Sequence, residues 1–287
     1  MARTDRLLES AGGSLRAAGV ETARLEAEVL LAAATGRSRV DLLAFPERAV
    51  PAPARRQFEA WLRRRVRERV PVQYLTRRQE FWSLELYVDE RVLIPRPETE
   101  CLVEEVLRRA GPKPELWVDV GTGSGAVALA LASERPRCRV LALDVSKAAL
   151  EVAALNCKRN PEPGSRVWLA VSHLLSALRP FFGGVQRIAA NLPYLSEEES
   201  STLPPEVGRH EPKGALFAGE DAVAVIRLLL PQAAESLGPG GSLHLEISPG
   251  LRDTVIDLVT SSGSFAAAEV RKDALGHPRV VSAVRLP

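Results

Sequence analysis

The pattern of apolar and polar positions divides the 287 residues into two parts with different periodicity. In the first part, helix-forming segments at 26–34 and 54–70 carry an apolar stripe, and three prolines separate them, which predicts a small helical bundle. From about Leu116 onward, short apolar runs alternate with Ala- and Leu-rich helical sequence. Such runs are typical of a parallel sheet covered by helices on both faces. We therefore expect a doubly wound α/β domain behind a helical domain.

The two parts are joined by a segment that is alternating and aromatic, residues 72–94, which predicts a β-hairpin. The expected division is a helical domain over 1–71, a hairpin linker over 72–95 and an α/β domain over 96–287. The hairpin runs into residues 94–100 (IPRPETE), where Pro97 can begin a helix. This double-proline loop is either purely structural or a border of a ligand pocket, and the sequence leaves both interpretations open.

A glycine turn follows the first apolar run of the α/β part. The run at 116–120 predicts a buried strand and contains Asp119, and the residues after the turn favour helix. The pattern D-x-G-x-G-x-G differs from the dinucleotide fingerprint and lacks the Gly-Lys of a P-loop. It resembles the first motif of S-adenosylmethionine-dependent methyltransferases. That resemblance implies a cofactor site formed by Asp119, Gly121, Thr122, Gly123, Ser124 and Gly125.

The next predicted strand, 139–143, ends at Asp144. A carboxylate about 20 residues beyond a glycine turn is placed to accept hydrogen bonds from both ribose hydroxyls. The alternative is that Asp144 or Ser146 caps the helix predicted from about Lys147. Ribose binding is the favoured interpretation.

A second turn closes the apolar run at 188–190, and its residues are Asn191, Leu192, Pro193 and Tyr194. Such a turn can present an Asn side-chain carbonyl, a backbone carbonyl and an aromatic face to a planar amino group. The amino group donates to both carbonyls while the ring holds its plane, so that its nitrogen faces an electrophile. Turns of similar composition also occur without a chemical role. Combined with a methyl-donor site, however, these four residues are the expected catalytic residues.

Composition sets bounds on the remaining possibilities. The chain is 46% hydrophobic and 26% charged with a formal net charge of +2, so no global field points to nucleic acid. No apolar run is long enough for a membrane span, and the first residues lack the apolar core of a signal peptide. Three cysteines and four histidines show no ligand spacing, so reduced thiols and no metal site are expected. We expect a cytoplasmic monomer that contacts neither membrane nor nucleic acid directly.

Nearly the whole chain resembles the release factor glutamine N5-methyltransferase family (peptide chain release factor methyltransferases). The N-x-P-Y turn is shared with adenine and cytosine amino-methyltransferases, whereas the IPRPETE loop and the helical N-terminal part narrow the choice. The matching segments are 23–43, 71–100, 119–125, Asp144, 191–194 and 206–222.

The family implies a seven-stranded, Rossmann-like sheet with an antiparallel last strand and S-adenosylmethionine as cofactor, contacted also by Asn191. It implies methylation of the glutamine in the Gly-Gly-Gln loop of class 1 release factors. The separate helical composition of residues 1–71 and their arginine cluster predict that this part recognises the protein substrate. The alternative is a nucleic-acid adenine N6-methyltransferase that uses the same turn on a flipped base.

Two positions depart from the family pattern. Leu192 replaces the first proline of the usual N-P-P-Y, and N-L-P-Y is typical of RNA adenine dimethyltransferases, which keeps the alternative open. Ser172-His173 replaces Ser-Asp, which places the expected adenine contact at Leu174. The arginines within 63–69 form either a solvated helix face or a docking surface for an acidic partner or an RNA-bound protein.

Overall fold

A computed structural model describes residues 2–181 and 184–287. They form two compact units, the first from Met1–Arg77 with Pro204–His210, the second from Arg78–Leu203 with Glu211–Pro287. A short segment from the middle of the α/β sequence thus belongs to the helical unit. Among the helices described, none combines the length and the apolar character that a membrane span requires.

The secondary structure follows the predicted alternation. The first seven helices are α1 Thr4–Ala17, α2 Ala23–Thr35, α3 Arg39–Ala44, α4 Ala52–Glu68, α5 Val72–Thr76, α6 Glu100–Arg109 and α7 Ala126–Glu134. The others are α8 Lys147–Arg159, α9 Pro161–Gly164, α10 Pro205–His210, α11 Lys213–Leu216, α12 Ala224–Ser236 and α13 Arg252–Ser261. The strands are β1 Gln79–Phe81, β2 Leu84–Leu86, β3 Leu116–Val120, β4 Arg139–Asp144, β5 Val167–Val171, β6 Val185–Ala190, β7 Leu195–Ser196, β8 Phe217–Gly219, β9 Leu237–Glu246, β10 Glu269–Lys272 and β11 Pro278–Val284.

The helical unit is held together by an apolar core and one buried arginine. Leu8, Leu30 and Phe58 are fully buried between α1, α2 and α4. Arg65 on α4 is only 4% exposed and lies 2.6 Å from a carboxylate oxygen of both Glu26 and Glu206. The Arg65 guanidinium therefore fastens α10 to the bundle.

The second unit contains the expected seven-stranded sheet, in the order β10-β11-β9-β6-β3-β4-β5. The five strands from β9 to β5 pair in parallel, and β11 is antiparallel to both β9 and β10. The fold class and the antiparallel last strand are thus confirmed. Strand order reverses at β3, whose neighbours are β4 and β6, and a doubly wound sheet binds ligands at the carboxyl ends of strands around such a switch point.

The hairpin is shorter than the sequence pattern indicates. Only β1 and β2 pair, and the turn between them is formed by Trp82 and Ser83 at φ 52° and 57°. Residues 72–76 form α5 instead, which begins after Pro71 and ends at Arg77 in the left-handed conformation. Pro71 occupies the N-cap position of α5, and an apolar pattern this short does not distinguish a strand from a helical turn.

The buried ion pairs of Arg65 lead us to expect a large contribution of this residue to the free energy of unfolding. Arg65→Ala leaves the Glu26 carboxylate without its buried partner and leaves Glu206 paired with Arg69, so we expect the free energy of unfolding to fall by about 3–5 kcal/mol. Arg64→Ala is the matched control, since Arg64 forms only an exposed pair with Glu68, for which about 0.5 kcal/mol is expected. Denaturant unfolding of both variants measures the difference. Equal losses would contradict the assignment of Arg65 as the internal arginine.

Candidate active site

A cavity of about 480 Å³ lies in the second unit at the carboxyl ends of the parallel strands. It brings together seven of the residues that the sequence singles out: Gly121, Gly123, Asp144, Leu174, Asn191, Leu192 and Pro193. The other predicted site residues, Asp119, Thr122, Ser124, Gly125 and Tyr194, do not line its wall. Within the described residues, no group of three His, Cys, Asp or Glu side chains is arranged to hold a metal ion.

The glycine turn is tied to the end of β4. The amides of Gly121 and Thr122 both donate to the Leu143 carbonyl, at 2.8 and 2.9 Å. The first and last glycines have φ of 72° and 82°, values that favour glycine. A Cβ on Gly125 would also lie 3.2 Å from the Ala153 Cβ of α8. The turn can therefore pack closely against α8 and adopt these backbone angles because its glycines carry no side chains.

Asp119 supports this turn from inside the protein. Its buried carboxyl accepts hydrogen bonds from the Thr122 hydroxyl at 2.6 Å and from the Ala128 amide at 3.2 Å. Burial, with a smaller effect of the Asp144 charge, raises the pKa of Asp119 to about 7 against the effect of these two donors. Asp119 and Thr122 thus fix the shape of the turn rather than the surface of the cavity.

The helix cap that the sequence assigned to either Asp144 or Ser146 is formed by Ser146. Ser146 caps α8, because its side chain accepts from the Ala149 amide at 3.2 Å. Asp144 lies in the cavity wall, where its two carboxylate oxygens accept from the amides of Gly123 and Ser146 at 2.9 and 2.8 Å. Each oxygen can still accept a second hydrogen bond.

The second turn follows β6. The Asn191 amide nitrogen donates to the Thr99 hydroxyl at 3.2 Å, so the donor end of this side chain is committed and its oxygen remains as the acceptor. Leu192 is buried, and its Cδ2 lies 3.3 Å from where a Cβ on Gly121 would be. The Leu192 side chain thus packs over the glycine turn, which gives the departure from N-P-P-Y a structural role. Burial, with a smaller effect of Glu246, raises the pKa of Tyr194 and keeps its hydroxyl neutral.

Several supporting residues carry no local sequence pattern. Asn156 on α8 donates to the carbonyls of Ser124 and Tyr87, both at 2.9 Å, and accepts from the Tyr87 amide. Buried Glu211 pairs with Arg96 and accepts from the Ile94 amide at 3.2 Å. Burial raises the pKa of Glu211, and Arg96 acts against that effect. Because the two partners are 115 positions apart, no spacing rule could have found them.

Fold and site together define a methyltransferase of the α/β class. Residues 97–196 match the family model of the methyltransferase small domain, and residues 6–76 match that of the PrmC N-terminal domain. The release factor glutamine methyltransferase of Moorella thermoacetica is 44% identical over 94% of each chain. The enzymes of the same name from Rhodopirellula baltica and Mycolicibacterium smegmatis are 38% and 37% identical, over 96% and 100% of this chain and 94% and 99% of theirs. The chain belongs to the release factor glutamine methyltransferase family.

Because the Asp119 carboxyl is buried, we expect the stability of the folded protein to depend on pH. Its folded-state pKa of about 7 exceeds the ordinary value of 3.8, so the folded protein binds this proton more tightly than the unfolded chain does. The contribution to stability is therefore complete below about pH 4 and is lost as pH rises through about 7. Asp119→Asn should remove this loss, on the order of 1–3 kcal/mol between pH 5 and 8. Denaturant unfolding across that range tests it, and an unchanged pH dependence would contradict the assignment.

Proposed function

We propose that the cavity binds S-adenosylmethionine and that the protein methylates the N5 nitrogen of the glutamine in the Gly-Gly-Gln loop of class 1 release factors. One observation carries the proposal: the wall that holds the glycine turn also holds Asn191, whose amide nitrogen is already bonded to Thr99. A methyl-donor site and an acceptor for amide hydrogens therefore share one cavity. The names of the full-length relatives support release factors as the substrate.

The residues of the wall fit this cofactor. A Cβ on Gly123 would meet no atom within 4 Å, so the backbone there faces open space that a ligand can use. Asp144 has acceptor capacity left for two ribose hydroxyls. Leu174, held at φ 51°, lines the same cavity and offers an apolar surface for the adenine ring. When bound, S-adenosylmethionine supplies an electrophilic methyl group on a sulfonium.

The second turn would orient the nucleophile. The nitrogen of a primary amide is weakly nucleophilic, because its lone pair is delocalised into the carbonyl, so alignment matters more than a strong base. Asn191 Oδ1 and the Leu192 carbonyl would accept the two N–H bonds, while Pro193 fixes the turn and Tyr194 holds the plane of the amide. Such placement contributes up to ~7–11 kcal/mol. With the cofactor bound, the nitrogen–carbon bond would form as the carbon–sulfur bond breaks, and the methylated nitrogen would release a proton to water.

The helical unit is the proposed recognition domain for the protein substrate, with the range 1–71 as its predicted extent. Arg63, Arg64 and Arg67 on α4 are exposed and give this unit a basic surface, whereas Arg65 is internal. A basic surface attracts an acidic partner and speeds its association. Because release factors act on ribosomes, the same proposal places the protein in the cytoplasm as a monomeric enzyme.

The cofactor site is tested by calorimetric titration with S-adenosylmethionine. Gly123→Val fills the open space and should abolish binding, while Asp144→Ala should weaken affinity about tenfold or more, since hydrogen bonds to charged groups contribute ~1.5–3 kcal/mol. Gly13→Ala in α1, which also meets no neighbouring atom, is the control and should bind normally. Unchanged affinity in both cavity variants would exclude this site.

The reaction is tested by offering labelled S-adenosylmethionine with a class 1 release factor, with the same factor carrying Gln→Ala in its Gly-Gly-Gln loop, and with RNA. We expect label on the intact factor only, and loss of at least ~100-fold in kcat/KM for Asn191→Ala, as expected for a residue that aligns the reacting nitrogen. Label on RNA and none on the release factor would favour the adenine methyltransferase instead. Transfer to the Gln→Ala factor would exclude the loop glutamine as the target.

A further inference from the structure

Two buried polar side chains, Thr99 and Glu246, lie next to Asn191. Thr99, which receives the hydrogen bond from Asn191, is 3% exposed, and Glu246 at the end of β9 is 4% exposed. Strands β6 and β9 pair in parallel with Ala190 opposite Leu245. Asn191 directly follows β6 and Glu246 is the last residue of β9, so the sheet brings them to the same carboxyl edge, where Asn191 donates to Thr99 of the IPRPETE loop.

The hydrogen bonds of this group run in one direction. A threonine hydroxyl has one proton and can donate only once. Because Asn191 donates to the Thr99 oxygen, the Thr99 proton is available to the Glu246 carboxyl, and Thr99 as a hydrogen-bond donor lowers the pKa of Glu246 against the effect of burial. The other carboxylate oxygen, Oε2, is buried and has no hydrogen-bond partner among the described residues. A buried carboxyl with an unpartnered oxygen costs stability, and such groups cluster at functional sites.

We propose that Glu246 is a positioning residue that acts through Thr99 to hold the Asn191 amide with its oxygen toward the substrate. The proposal rests on the function proposed above, in which Asn191 Oδ1 accepts a hydrogen from the glutamine amide. An ionised Glu246 only accepts, so Thr99 must donate to it and must accept from the Asn191 nitrogen. That order leaves Oδ1 facing the cavity.

Protonation of Glu246 would remove the fixed order in which Asn191 donates to Thr99 and Thr99 donates to Glu246. A neutral carboxyl can donate to the Thr99 oxygen, and the Thr99 proton then becomes available to Asn191 Oδ1. The Asn191 amide can turn over in that state and present its NH2 group to the NH2 group of the substrate. Two donors facing each other cannot form a hydrogen bond, so the substrate nitrogen loses one of its two acceptors.

Burial and the neighbouring charges place the protonation of Glu246 in a pH range in which methylation can be assayed. Burial raises its pKa to about 7, the Thr99 hydrogen bond and Arg279 on β11 act against that effect, and Glu98 adds to it. Tyr194 of the second turn also interacts with Glu246. The ionised state is complete above about pH 8 and is lost as pH falls through about 7. We therefore expect an acid limb near pH 7 in kcat/KM for release factor methylation.

Three variants of the full-length protein test the proposal with an intact release factor as substrate. Thr99→Val should lower kcat/KM about tenfold or more with unchanged affinity for S-adenosylmethionine, because it removes the acceptor for the Asn191 nitrogen. Thr99→Ser restores the hydroxyl and should recover activity to within about threefold. Glu246→Gln should lose the acid limb near pH 7 while keeping part of the activity, since the glutamine oxygen can accept from Thr99. These magnitudes correspond to the loss of one oriented hydrogen bond.

The outcomes separate this proposal from the function on which it rests. If Asn191→Ala still methylates the release factor, the proposed role of Asn191 fails. If Asn191→Ala is inactive but Thr99→Val is as active as the unmodified protein, the positioning role is overturned and Asn191 acts alone. If Thr99→Val does not fold, the pH profile of Glu246→Gln decides. An acid limb that persists in Glu246→Gln, or a loss of activity equal at every pH, overturns the proposal.

Discussion

The candidate site depends on the parallel pairing of β3 with β6. Val120 lies opposite Ala190 in this register, so the glycine turn and the second turn leave the sheet at the same height on neighbouring strands. The Leu192 side chain then packs against the backbone of Gly121, where a side chain of any size would be in close contact. A slip of one residue would turn every side chain of one strand to the other face and separate the two turns. The proposed methyl-donor site and the proposed acceptor turn thus both depend on one strand register.

Buried ion pairs hold together segments that the pairing of strands in the sheet does not connect. Arg65 holds Glu26 and Glu206 within the helical unit, and Glu211 binds Arg96 and the Ile94 amide within the second unit. Each arrangement joins residues that are distant in the chain. The segment after the second turn therefore contributes to both units, with the assignment changing between His210 and Glu211. Within the family segment at 206–222, Glu206 and Glu211 make these contacts, whereas Pro212, Gly214, Ala215 and Phe217 line the cavity.

The sequence predicts the fold and the two turns because both depend on local rules. An apolar run followed by glycines and then Ala-rich sequence specifies β3, the turn and α7, and Ser146 before Lys147 specifies the start of α8. Local rules fail where a distant residue completes the arrangement. Thr99 and Asn191 are 92 positions apart, and nothing about a threonine in a proline loop indicates that it receives an asparagine amide.

The same limit explains the remaining differences. The alternation at 72–94 predicts more strand than exists, because helix propensity after Pro71 competes with a short apolar period. Asp119 belongs to a motif associated with the cofactor, but its carboxyl is satisfied by Thr122 and the Ala128 amide, inside the protein. Motif membership identifies residues that a site requires, and only the three-dimensional contacts separate those that line the cavity from those that shape it.

Under the proposed function, Asn191 Oδ1 and the Leu192 carbonyl accept the two hydrogens of a glutamine amide. The most direct test is a crystal structure of the protein with S-adenosylhomocysteine and a class 1 release factor. We expect the glutamine nitrogen within about 2.7–3.2 Å of both oxygens, with the Asn191 nitrogen still bonded to Thr99. A glutamine amide that contacts neither oxygen, or an Asn191 side chain turned with its nitrogen toward the substrate, would contradict it.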